Sequence, residues 1–370
     1  MRKLVFLIVA FVAFGTGMAG QAGYDSLSGT VTPGPTGGLP EIYVEGGSHH
    51  VQGIAYDPEA GRMYFSFTDR FIATDLDGNV LGSVCHIQGH LGAMVFNREN
   101  RRVYASLECK DDVIGKGLSD FAKGRSMFYI AIIDVDKVTS IDMDSEDNEA
   151  FKIVCVREAT RDYHTRFYGC SGIDGVAIAP KIGKKTGKNY LYVAYGIYGD
   201  KERTDNDNQV LLRYDMMDLD KYAGKVRFGE FYSEGPKKPL EKYFVYTGNT
   251  NWGVQNMAYD PSLGKLFLFV YKGSKEQFTN YDVFSFDLSK KPVKRGLIGV
   301  EYDTSRHPVI GSWEDQVSGI FFKYGSTGVS PLGDGLFYFS ENGRSQSSGK
   351  QYCRARLYRW NGEGFIPAGR

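Results

Sequence analysis

From residue 40 onward the chain is a succession of short runs in which apolar and polar residues alternate, the period of a half-buried strand. Five segments share one pattern: an approach containing glycine, a short apolar strand ending in Asp, Asn or Pro, a glycine or charged turn, an aromatic-rich strand, then a third strand. The first copy is "HVQGIAYDPEAGRMYFSFTDRFIATDLDGNVLGSV". The second is "HLGAMVFNRENRRVYASLE" with "SMFYIAIIDVD", and the third "GIDGVAIAPKIGKKTGKNYLYVAY" with "NQVLLRYDMMD". The fourth is "GVQNMAYDPSLGKLFLFVY" with "YDVFSFDLSKK", and the fifth "STGVSPLGDGLFYFSE" with "CRARLYRWNGEGF". "LGSVCHI", "FKIVCVRE", "EKYFVYTG" and "GLIGVEYD" supply candidate fourth strands. No amphipathic helix of ordinary length is predicted.

A four-stranded unit repeated with turns is the signature of a β-propeller blade. The expected fold is all-β, a single propeller over residues 40–370 with five four-stranded blades, or six or seven if long insertions conceal weak ones. The strand "PEIYVEGG", residues 40–47, precedes the first blade and is expected to close the last one as its outer strand, which leaves no open edge. First strands that read like "GIAYDPEAGRMYFS" resemble those of NHL-type repeats and of the senescence-marker/gluconolactonase family. The resemblance is one of repeats, and it implies architecture before chemistry.

The amino-terminal stretch has Arg2 and Lys3, an apolar run from Leu4 to Phe14, then small residues with cleavage expected after Ala19 or Ala22. That is the layout of a signal peptide over residues 1–22, followed by a linker over 23–39, so a secreted or periplasmic protein with no membrane insertion after cleavage is expected. Forty-four Lys and Arg balance 44 Asp and Glu, which gives no electrostatic footprint for nucleic acid. The five cysteines are scattered without metal or redox spacing and read as buried strand residues, with one disulfide open to them.

In a propeller the approaches to the innermost strands converge on one face, so the site is sought there. Those approaches carry His49, His50 and Gln52 in the first blade, His86, Gln88 and His90 in the second, and Tyr168, Cys170, Ser171 and Asp174 in the third. The fourth supplies Asn251, Trp252, Gln255 and Asn256, and the fifth Tyr324, Ser326 and Thr327. Four of the six histidines fall in this set. A polar loop, "REATRDYHTRFYGCSGIDG", brings Arg161, Tyr163, His164, Arg166 and Tyr168 towards the same face. Unlike a lectin with one pocket per blade, these approaches differ from blade to blade, which favours a single composite site.

The inventory fits elimination from a uronic-acid glycan, which needs a carboxylate partner, a base and an acid. Arg166 would pair the carboxylate, His90 or His164 act as base, and Tyr163 or Tyr168 as acid. His50, Gln52, His86, Asp174, Asn251, Trp252, Gln255 and Tyr324 would bind a polysaccharide or oligosaccharide. The composition is similar to the His/Tyr/Arg sites of propeller-fold polysaccharide lyases. The alternatives are a non-catalytic carbohydrate- or ligand-binding propeller, a glycoside hydrolase, for which Asp174 with Asp69 and Glu108 are the carboxylates at hand, and a metal-dependent lactonase.

The gluconolactonase resemblance implies a divalent cation held by carboxylate and amide oxygens at inner-strand positions. Here His50 or Gln52 stands where the first acidic ligand is expected, while Asp174 and Asn256 match others. A histidine-rich site favours zinc, and the acidic loop "GDKERTDNDNQ" offers Asp205 and Asp207 to calcium. Calcium or zinc is thus a candidate cofactor, with the metal ligands left open.

Overall fold

The computed structural model describes residues 38–368 except Ser48, 112–123, Phe228 and 312–315. The expected signal peptide and most of the linker lie outside the described residues. Five sheets are arranged as the five blades of a β-propeller, each opening on an inner strand: Gly53–Asp57, His90–Asn97, Cys170–Pro180, Thr250–Asp260 and Val329–Gly333.

Each gap between neighbouring blades is filled by its own apolar core. Ala55, Tyr64 and Phe71 of blade 1 pack with Leu91, Val103 and Tyr129 of blade 2. Equivalent clusters join blades 2 and 3, 3 and 4, and 4 and 5. A fifth joins the last blade to the first through Ile42, Val44, Ile54, Met63, Tyr338 and Cys353. Alternation on strands buried on both faces thus places one set of side chains in each of two cores.

Ring closure follows the sequence expectation. Ile42–Glu45 pairs antiparallel with Tyr352–Ala355, as the outer strand of blade 5. Tight turns between first and second strands are set by Asx chemistry. Asp57 accepts from the backbone N–H of Glu59 and Ala60, Asn97 from Glu99, and Asp260 from Ser262 and Leu263. The same side chains reach the next blade: Asp57 to Arg101 at 3.1 Å, Asn97 to the Met216 sulfur at 3.4 Å, and Asp260 to the Gly335 N–H at 2.9 Å.

Insertions between third and fourth strands lean back on the preceding blade. Met143–Asp144 pairs in parallel with the outer strand of blade 1, and His307–Ile310 pairs in parallel with that of blade 3. Gly224 bridges to Ile153 on the outer strand of blade 2. This back-pairing corrects one expectation: "GLIGVEYD" belongs to the excursion that covers blade 3, and the fourth strand of blade 4 is Val317–Ile320.

A second correction concerns the loop before blade 3, where Arg157–Thr165 is an α-helix. Its buried face is Glu158, Ala159 and Asp162 rather than an apolar stripe, so hydrophobic periodicity does not reveal it. Asp162 accepts a hydrogen bond from the Tyr195 hydroxyl at 2.9 Å and pairs with Lys242, which also reaches Glu158 at 3.2 Å. All five cysteines are free and buried, so the disulfide does not form. No helix among the described residues is long and apolar enough to cross a membrane.

Closure makes a direct prediction. Ile42 is fully buried and Tyr43, its neighbour on the same strand, is 40% exposed. Ile42→Ala is expected to destabilise the protein by about 2–5 kcal/mol, and Tyr43→Ala by less than about 1 kcal/mol, in urea unfolding followed by tryptophan fluorescence.

Candidate active site on the axial face

The inner strands start close together around the axis, and glycine permits it. A Cβ on Gly53 would lie 2.5 Å from the Gly92 carbonyl oxygen of the neighbouring blade. The side chains flanking these strand starts form one hydrogen-bonded cluster. The Gln52 amide donates to Gln255 Oε1 at 2.8 Å and to Asp174 Oδ1 at 3.4 Å, and the Gln255 amide donates to Asp174 Oδ2 at 3.1 Å. Blades 1, 3 and 4 thereby meet at one carboxylate.

Blade 2 adds His90 and, directly across the strand pair, Glu108. One ligand atom from each of His90, Glu108 and Asp174 lies within 4.8 Å of the other two. Glu108 is held on both oxygens: Oε1 accepts the Ile173 N–H at 2.9 Å and Oε2 pairs with Lys110 at 2.7 Å. That fit depends on Gly172, at φ 138°, where a Cβ would fall 1.9 Å from Glu108 Oε1. Burial, reinforced by the Lys110 charge and the neighbouring His50 and His49, lowers the His90 pKa to about 3, so its imidazole is neutral at ordinary pH. Burial and then the Glu108 carboxylate push Asp174 well above the usual carboxylate range, against the pull of Lys110 and Gln255.

Beside this cluster lies a cavity of about 670 Å³ lined by Tyr163, His164, Arg166, Tyr198, Asp200 and Arg203. The helix Arg157–Thr165 delivers three of these from its last turn and its cap, Arg166, whose φ of 59° turns the chain sharply. His164 Nε2 lies 3.0 Å from the Ser126 carbonyl oxygen. Only an N–H can bond there, so this contact sets the tautomer and leaves Nδ1 a free acceptor. The Tyr163 ring packs edge-on against His164 and Phe128. Arg203 is paired with Asp205 at 2.7 Å and donates to the Arg166 carbonyl. At the rim, Trp252 at φ 65° is 49% exposed and meets the Tyr198 ring edge-on. Asn251 abuts Gly199 at the same edge.

Other predicted site residues lie elsewhere. His86 sits at the end of the outer strand of blade 1, exposed and bonded to Asp144 at 2.7 Å, because the histidine follows a fourth strand before it precedes a first. Tyr168 is buried in the core between blades 2 and 3, with its hydroxyl donating to Asp303 at 2.8 Å. Tyr324 packs against Phe322 and Tyr358, by the third strand of blade 5. His50 is exposed at the mouth of the axis, with its ring 6.4 Å from that of His90. Arg161 pairs with Glu158 and Asp162 on its own helix. Glu108 is the residue whose place sequence reasoning undervalued. Counting through the turn would have placed Cys109 opposite His90, and only the irregularity between Leu91 and Met94 brings Glu108 there instead.

The two cation sites suggested by sequence fare differently from expectation. In the acidic loop an internal ammonium takes the central place: Lys275 donates to Asp207 at 2.6 Å, Asn206 at 2.8 Å and the Arg203 carbonyl at 2.6 Å. The carboxylate-and-amide set of the gluconolactonase resemblance does not assemble. Asn256 turns its amide nitrogen to the Gln52 carbonyl at 3.0 Å, and the Gln52 and Gln255 amide nitrogens face Asp174.

No family model and no curated protein matches the chain. Solved structures similar to it include the holo form of the PQQ domain of pyranose dehydrogenase from Coprinopsis cinerea, at 12% identity and a TM-score of 0.39, covering 82% of this chain and 81% of that one. A luciferin-regenerating enzyme is 12% identical with a TM-score of 0.34 over 89% of this chain and 98% of the other. A structure whose description names a gluconolactonase is 14% identical with a TM-score of 0.30 over 87% of this chain and 94% of the other. Likeness at these values carries no argument about the chemistry.

The anchoring of Tyr168 makes a testable prediction. Burial acts to raise the Asp303 pKa, but hydrogen bonds from Ser305 and Tyr168 and the facing His307 outweigh it and hold it down at about 2. A carboxyl held below its unfolded value of about 3.9 contributes stability at higher pH, and this is lost as pH falls from about 4 through about 2. Asp303→Asn is therefore expected to lower the urea midpoint clearly at pH 6 and much less at pH 3.

Proposed function

We propose that the protein is an exported carbohydrate-active enzyme, secreted or periplasmic, that cleaves a uronic-acid polysaccharide by elimination in the cavity beside the axis. The observation that supports this reading best is that Tyr163, His164 and Arg166 line one cavity. Among the described residues Arg166 has no side-chain partner, so its guanidinium is available to a substrate carboxylate, for which its planar fork is suited. Pairing that carboxylate acidifies the adjacent C–H.

His164 Nδ1 takes this proton, the electron pair forms the new carbon–carbon double bond, and the glycosidic C–O bond breaks. Tyr163 protonates the departing oxygen. Trp252 and Tyr198 at the rim offer faces on which sugar rings stack. His90 is a poor base for this step, because a proton affinity as low as its pKa of about 3 gives little driving force. Glycoside hydrolysis by Glu108 and Asp174 is disfavoured because both are more than nine-tenths buried, at 7% and 6% exposure, with no room for a sugar between them.

The test is a panel of uronic-acid polysaccharides incubated with the mature protein, with ultraviolet absorbance reporting the conjugated double bond. A rise is expected, with His164→Ala lowering kcat by about 10²–10⁴-fold and Arg166→Ala raising KM as well. A flat trace across the panel from correctly folded protein overturns the reading.

A further inference from the structure

We propose that His90, Glu108 and Asp174 form a binding site for one divalent transition-metal ion of the zinc class, distinct from the cavity assigned above to the glycan. The three donors come from two blades and present one imidazole nitrogen and two carboxylates within 4.8 Å of one another. Ligand distances of about 2.0–2.2 Å are typical of zinc with nitrogen and oxygen donors, and small side-chain rotations bring these three onto one ion. Glu108 and Asp174 are both buried and His90 is partly so, which suits a cation where it excludes a sugar.

Two unpartnered polar atoms mark the same spot. Gln52 is 7% exposed, its amide nitrogen donates to Asp174, and its Oε1 has no hydrogen-bond partner. Ser106 is fully buried and its Oγ has none either. A Cβ on Gly92 would lie 2.5 Å from that Oγ and 3.5 Å from Asp174 Oδ1, so the serine borders the cluster too. Buried polar atoms are rarely left without partners. A water bound to a cation at the cluster can supply one to the serine, which borders Asp174.

The surroundings are those of a supported metal site. Gln255 bonds the outer oxygen of Asp174, and the Ile173 N–H and Lys110 hold Glu108, so the carboxylates are oriented from behind. The donor set argues for the metal. Calcium takes six to eight oxygens, roughly, and gains nothing from an imidazole, whereas nitrogen with carboxylate suits zinc and its neighbours. Lys110 balances charge at Glu108 and competes with an incoming cation for that oxygen.

The experiment is calorimetric titration of the chelator-treated mature protein with zinc, manganese and calcium salts, together with the visible spectrum of the cobalt(II)-loaded protein. One zinc ion per chain is expected, with affinity above that for calcium, and cobalt bands of a low-symmetry nitrogen–oxygen site. His90→Ala and Asp174→Asn should each weaken zinc at least tenfold and abolish the cobalt bands, Lys110→Met should bind at least as tightly as the parent, and His164→Ala should bind unchanged. Failure of the parent protein to take up one zinc or cobalt ion overturns the proposal, as does binding that survives both His90→Ala and Asp174→Asn, or calcium preferred over zinc. Because the readout is binding, it stands or falls separately from the elimination assay.

Discussion

Everything in this molecule depends on the four-residue antiparallel pairing of Ile42–Glu45 with Tyr352–Ala355. It turns five sheets into a ring, and only a ring presses the starts of the inner strands together. The fifth core, in which Ile42 and Val44 meet Ile54, Met63 and Cys353, is assembled from the two ends of the chain. Without it, blades 1 and 5 would each expose an apolar face, and Gln52 of blade 1 would lose its fixed place against Asp174 of blade 3 and Gln255 of blade 4.

The axial cluster is costly for such a ring. Placing a carboxylate, a neutral imidazole and a Lys–Glu pair at the centre requires desolvation, which the shifts at His90 and Asp174 record. A fold selected for stability alone would fill the axis with apolar side chains. The neighbouring cavity is different in kind, about 670 Å³ in volume, with its key groups carried on one helix turn. The face thus holds two environments side by side, a desolvated cluster of ionisable groups and an open cavity.

The blade repeat, the closing strand and the convergence of His90, Asp174 and Gln255 could be read from the sequence because they rest on local signals: strand alternation, Asx turns such as that of Asp57, and residue position relative to a strand start. What could not be read rests on partners remote in sequence. The helix at 157–165 has an acidic buried face that makes sense only once Lys242 and Tyr195 are placed against it. Residues 296–303 look like a strand by composition, yet they serve the blade before their own. His86 and His90 are four residues apart and look equivalent, but a strand end and a strand start lie at opposite margins of a blade. Tyr168 reads as a polar site residue until Asp303, far along the chain, claims its hydroxyl.

The backward-leaning insertions have a consequence for how the ring comes apart. In a simple array each unit touches its neighbours only through flat faces, and units can be lost one at a time from an end. Here segments between third and fourth strands are stitched onto the edge of the preceding sheet at Cys85, Ile153 and Val245, so none of the first three sheets can peel away without pulling a thread from the next. Since Ile42–Glu45 pairs with Tyr352–Ala355, the ring of five sheets has no open edge from which to fray. Its assembly must wait until Tyr352–Ala355 have emerged, with long-range pairing as the slow step. The finished ring should open as a single cooperative unit, more like a buckled belt than a stack of plates.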